Sequence, residues 1–163
     1  MEQLADWANF YIAGAGAAAA MVGLFIVAVS VNIDPIVADT VLPPRAVGTI
    51  AALVLALLTC MSGLMADQGT VWFGGAVLVF GFVAWLTKLH AARRLIVERS
   101  THPMSSVVGE AATGQTQTLP FLVGGVLVLA DQPAGLNWIG FGVLAVFGFS
   151  MINVWVLLIE IRR

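Results

Sequence analysis

Charge is the scarcest commodity in this sequence: Lys and Arg number 7 and Asp and Glu 9 among 163 residues, only 10% of the chain. A soluble domain of this length needs a charged surface, and these side chains are too few to make one. The net charge of −2 offers nothing to a nucleic-acid backbone. Cysteine is nearly absent as well. Cys60 stands alone, which excludes a disulfide framework within the chain, and its apolar neighbours mark it as a small buried hydrophobe. His90 and His102 have no Cys, Asp or Glu at a metal-ligand spacing. No phosphate-binding glycine loop, H-E-x-x-H pair or G-x-S-x-G elbow is present. The spans carry neither a Ser–His pair nor two aspartates, so an intramembrane protease is disfavoured too. No catalytic, cofactor-binding or metal-binding residues are assigned, and the chain reads as a non-enzyme without a cofactor.

What remains is hydrophobicity, 60% of the residues and a mean hydropathy of +0.99. A helix needs roughly 20 apolar residues to cross the hydrocarbon. The stretches between charges supply five, at about 8–33, 46–66, 70–91, 111–130 and 136–160. The expected fold is an all-α membrane protein, a single transmembrane domain over 1–163 built as a bundle of five transmembrane helices. The turns at Asp67 and Asp131 are short, making hairpins of the second and third spans and of the fourth and fifth. The segment from about Arg94 to Glu110 reads as the only sizeable loop. The first span follows Glu2 and Asp6, not a basic segment, so it reads as a retained helix and not a cleaved signal.

The basic residues orient the bundle. With five spans, all 7 (Arg45, Lys88, Arg93, Arg94, Arg99, Arg162 and Arg163) fall on one side. The other side holds only Glu2, Asp6, Asp67 and Asp131. Positive charge collects in the cytoplasm, which predicts the N-terminus outside and the C-terminus cytoplasmic. Trp7, Trp72 and Trp138, with Tyr11 nearby, fall near the outer ends of their spans and read as an interfacial aromatic belt. Lys88 is placed to snorkel to the inner interface.

Small residues recur at helical spacing. In the first span Ala13, Gly16, Ala20, Gly23 and Val27 share a face that lets another backbone come close. That pattern suits first a helix buried at the centre of the bundle, with a self-association face or a pore-lining helix as the alternatives. Gly16 and Ala20 are expected at a tight helix–helix contact. Gly74 and Gly81 in the third span, and Gly140 and Gly148 in the fifth, make weaker versions.

The fourth span is apolar only from Leu119 to Ala130, about 18 Å of helix against about 30 Å of hydrocarbon. Part of the polar run from Thr113 to Thr118 must therefore enter the membrane. Gln115 and Gln117 are expected to face protein or a wet cavity, since an unpaired amide in hydrocarbon costs several kcal/mol. Pro120 has no N–H to give the carbonyl of Thr116 and is a site for a kink. Glu160, at the end of the last span, is expected to pair with Arg45, or with Arg93 or Arg94. Asn153, seven residues earlier on the same face, is expected to bond a neighbouring helix. With Glu110, these residues are the intramembrane polar and ion-pair candidates.

The first span running into Val29-Ser-Val-Asn32, then Leu42-Pro-Pro-Arg-Ala46, Thr118-Leu-Pro-Phe-Leu122 and the ending Trp155-Val-Leu-Leu-Ile-Glu-Ile-Arg162 resemble a family of small bacterial integral membrane proteins. Some of its members are labelled "modulator of FtsH protease". The resemblance covers most of the chain in short patches. It implies a multi-pass protein of the bacterial cytoplasmic (inner) membrane and carries over no functional residue. Two functions are compatible with the residues. One is a non-catalytic membrane protein, regulatory in the sense the label implies, that forms a homo-oligomer or binds another membrane protein within the lipid bilayer. The other is a small homo-oligomeric ion channel or transporter with a polar vestibule on the cytoplasmic side.

Overall fold

A computed structural model describes residues 6–38, 42–65, 69–97 and 104–155, with side chains described throughout except at 94–97 and 104–113. The regular structure among them is entirely helical: α1 (Ala8–Val31), α2 (Ile33–Ala38), α3 (Leu42–Gly63), α4 (Thr70–Val97), α5 (Met104–Leu129) and α6 (Ala134–Trp155). Four of these, α1, α3, α4 and α6, are long and apolar enough to cross a membrane, which makes the chain a multi-pass membrane protein by length and composition. The apolar part of α5 is shorter, Gly114–Leu129.

The helix ends follow local chemistry more than hydropathy. Pro43 and Pro44 sit in the first turn of α3, where a missing N–H breaks no helical bond, so the helix begins before Arg45 and not after it. At the other hairpin, Asp131 adopts φ 55°, the left-handed conformation that ends a helix. There Asp131 N–H donates to Val128 O and Gln132 N–H to Leu127 O, closing the last turn of α5. The long loop expected from Arg94 to Glu110 is largely helix, because α4 continues to Val97 and α5 starts at Met104. A helix and a membrane span are different things: Pro103 immediately precedes α5, and the polar turns after it extend the helix without lengthening the apolar span.

The helices pack in chain order, α1 on α3, α3 on α4, α4 on α5 and α5 on α6, with α6 returning to touch α3 and α1. The centre belongs to α3, 56% of whose best span is buried, against 22% for α1. Central placement of the first span is thus overturned. Its buried face is Tyr11, Gly14, Ala18, Phe25 and Ala28. Gly14, not Gly16, makes the close contact, with the Sγ of Cys60 on α3 only 2.8 Å from where a Cβ would stand. Ala13, Gly16, Ala20 and Gly23 all point outward, and a Cβ at Gly16 or Gly23 would meet nothing within 4 Å. Tyr11 is likewise not part of an outer belt. It is fully buried against Gly63 and Phe73. Trp72 and Trp138 are exposed, while Trp7 lies half-buried on Gly140.

The tightest approach is between α5 and α6. A Cβ on Gly124 would stand 2.6 Å from Ile139 Cγ1 and 2.8 Å from the Gly135 carbonyl oxygen. Next to it, Gly125 faces the opposite way, and a Cβ there would stand 2.8 Å from Leu78 Cγ and 3.3 Å from the Gly74 carbonyl oxygen of α4. Adjacent glycines thus let α5 lie close to a neighbour on each side. Gly81 meets Leu122 across the same α4–α5 contact, and Gly148 meets nothing. Gly124→Ala is expected to destabilise the protein by about 1–3 kcal/mol, because the obstructing atoms include backbone. Gly16→Ala should leave the protomer as stable or slightly more so, through helix propensity. Thermal unfolding in detergent checks both, and equal losses would show that the two glycines are not distinguished by packing.

Candidate functional site

The polar residues at depth converge at one end of the bundle, where α3, α4, α5 and α6 meet. Lys88 of α4 does not snorkel outward. It is only 7% exposed, with its aliphatic stem passing between Gly48 of α3 and Gly114 of α5. A Cβ at those glycines would stand 3.9 and 3.7 Å from the stem, so small residues on two helices form its channel. The Nζ donates to Gln117 Oε1 at 2.8 Å and to the Gly114 carbonyl at 3.2 Å. One turn earlier on α4, Trp85 Nε1 donates to Gln115 Oε1 at 2.7 Å. Gln115 and Gln117 therefore face protein, as an amide at membrane depth must. Pro120 stays within α5 and packs against Gly142 of α6.

A second group ties α3 to α6. Arg45 donates from Nε and Nη2 to Asn153 Oδ1, at 3.0 and 2.7 Å. Asn153 Nδ2 donates to Thr49 Oγ1 at 2.8 Å, and Thr49 donates to the Arg45 carbonyl at 2.9 Å. The cycle consumes both ends of the Asn153 amide. The expected partner of Arg45, Glu160, lies outside the described residues. Asn153 nevertheless makes the junction of the last helix with the start of α3 that was assigned to that pair. Glu110 and Thr113 are on α5, but their side chains are outside what the structure describes.

Between the two groups lies a cavity of about 40 Å³, lined by Gly48, Thr49, Lys88, Gln115, Gln117 and Asn153 among others. That volume holds on the order of two waters. Outside it, an apolar groove between α3 and α4 is lined by Pro43, Pro44, Val47, Leu86, Thr87 and His90. Sequence reasoning reached Gln115, Gln117, Arg45 and Asn153 but passed over Trp85 and Thr49. Both were within reach: Trp85 stands three residues before Lys88 and Thr49 four after Arg45, so each shares a helix face with a charge.

No known protein family, characterised protein or solved structure matches the chain. Its class therefore rests on its own features: a multi-pass helical membrane protein with Arg45, Lys88, Gln115, Gln117 and Asn153 gathered at one end of the bundle.

Asn153→Leu removes the acceptor of two guanidinium bonds and the donor to Thr49. A loss of about 2–3 kcal/mol is expected, because charged donors are left short of partners. Asn153→Asp retains the acceptor for Arg45 and should lose less. Unfolding midpoints of the two variants in detergent decide this, and indistinguishable values would mean that the cycle is not what joins α3 to α6.

Proposed function

We propose that the chain is a non-catalytic integral membrane protein of five spans, with its N-terminus outside and its C-terminus cytoplasmic. It acts by self-association or by binding another membrane protein through the outward face of α1. The observation that carries this reading is the position of Ala13, Gly16, Ala20 and Gly23. They form an exposed small-residue stripe at helical spacing, and a Cβ at Gly16 or Gly23 would meet nothing among the described residues. Between helices in lipid the driving force is close packing, and small residues permit it. The fifth span is α5, its short apolar stretch completed by polar residues that satisfy one another inside the bundle. The split of the basic residues supports the orientation. The resemblance to small bacterial inner-membrane proteins, some of them labelled modulators of a membrane protease, supports a bacterial location and a regulatory role.

The second reading is a small homo-oligomeric channel or transporter. It is favoured by the polar cavity at Lys88 and Gln117, where four helices leave room for water.

Two measurements test the proposal. Gly16→Leu should reduce assembly size in mild detergent while leaving the unfolding temperature of the protomer within about 2 °C, since a Cβ there meets no neighbour among the described residues. A fall in stability with no change in assembly would remove α1 as the contact face. For orientation, a cysteine placed at Gln3 should react with an impermeant maleimide in intact cells, against little background because native Cys60 is buried. Labelling only after permeabilisation would reverse the topology.

A further inference from the structure

Between α3 and α4 the outer surface of the bundle carries a long furrow. The apolar groove at Pro43 and His90 continues along both helices as far as Leu58 and Phe80, and its two stretches share Val47 and Thr87. Its floor is made of small side chains, Ala51 on α3 with Ala84 and Ala91 on α4. Its banks are larger and exposed, Val47 and Leu58 on one side, Val83 and Leu86 on the other. The one hydroxyl in the lining, that of Thr87, donates to the Val83 carbonyl of its own helix, so the walls stay apolar as far as His90. From Pro43 to Leu58 is 15 residues of helix, or about 22 Å. That exceeds the roughly 15 Å of hydrocarbon in one leaflet. The polar groups lie at one end only. His90 lines the groove there, and Arg93 stands on the same stripe of α4, three residues beyond His90 and seven beyond Leu86. Arg93 is exposed and makes no hydrogen bond or ion pair among the described residues. Neither α3 nor α4 contains an Asp or Glu, so this mouth of the groove offers positive charge alone.

We infer that this groove is a binding site for an anionic glycerophospholipid, with one acyl chain lying along α3 and α4 and the phosphate beside Arg93. A second helix fits the groove less well. Helices in lipid approach one another on small residues, whereas here exposed valines and leucines stand along both banks and hold a backbone away. A single flexible chain passes between them onto the alanines. Leaving the bilayer for the groove brings that chain no hydrophobic gain. The groove therefore fixes where the lipid lies, and the guanidinium decides which headgroup it carries. The site is set by the α3–α4 contact and the C-terminal end of α4. It depends neither on the α1 face nor on which way the chain is oriented across the membrane.

The test titrates the full chain in non-ionic detergent with phosphatidylglycerol, and separately with phosphatidylcholine of the same acyl chains. Native mass spectrometry counts the lipids retained per protomer. One phosphatidylglycerol should bind saturably and about fivefold more tightly than phosphatidylcholine, the preference that one basic residue gives near a phosphate. Arg93→Gln should bring the two lipids to within about twofold of each other. Val47→Trp, at a half-exposed position shared by both stretches of the groove, should abolish retention of either lipid there. Both positions are exposed, so both variants should melt within about 2 °C of the wild type, and a lost lipid is then not a lost fold. Equal binding of the two lipids to the wild type overturns the site. So does a preference for phosphatidylglycerol that Arg93→Gln leaves unchanged, since the headgroup would then lie elsewhere. A smaller assembly for Val47→Trp with lipid retention unchanged gives the groove to a second copy of the chain, and overturns it as well.

Discussion

Hydrocarbon gives a polar group nothing to bond to, and that constraint organises the polar half of this molecule. Lys88, Gln115, Gln117, Arg45, Asn153 and Thr49 all lie where a partner must be another part of the protein. Each is therefore turned toward a neighbouring helix, and the bonds that satisfy them are also the bonds that set how α3, α4, α5 and α6 meet. The same rule explains why a lysine can be buried here. Its stem lies between two glycines, and its head has a carbonyl and an amide oxygen within reach.

Away from that end the bundle is held by another means. Lipid is as apolar as the side chains, so burying a leucine between helices yields little, and close backbone approach takes over. Gly124 and Gly125 illustrate the division of labour. The first admits α6 and the second admits α4, and α5 lies between them with its neighbours' carbonyl groups nearly in contact. Large apolar residues such as Phe82, Val126 and Phe141 are left on the outside, the reverse of a soluble protein and the arrangement that lipid favours.

The two modes bear on function differently. Glycine packing joins α4, α5 and α6 at Gly74, Gly124, Gly125 and Gly135 and leaves the Gly16–Gly23 stripe of α1 unused among the described residues, and that stripe underlies the proposed association. The polar cluster joins α3 to α6 and α4 to α5 and surrounds a small cavity, the feature that favours the channel reading. A helix that contributes 22% of its best span to the interior has most of its surface available to lipid or to another protein.

Much of this was legible in the residues alone. Hydropathy located the apolar core of each long helix, because span length is set by membrane thickness, but it missed the polar extensions to Val97 on α4 and from Met104 on α5. The shortfall of apolar residues after Thr118 placed Gln115 and Gln117 against protein by length alone. Asn153, too, could be assigned to an interhelical bond, since an amide at that depth has no other outlet. What the residues could not settle was direction. A stripe of small residues looks the same whether it faces the core or the lipid, and α1 carries two, Gly14 with Ala18 on one side and Gly16 with Ala20 on the other. The packed structure turns the Gly14 face inward, where Tyr11 lies over Gly63 and Gly14 meets Cys60. For Lys88 the sequence allowed either an outward or an inward stem, and the glycines that chose between them lie 40 residues before it and 26 after it. Periodicity constrains what lies along one helix; which face meets which neighbour is a property of the packed set, and it is determined only when all the helices are in place.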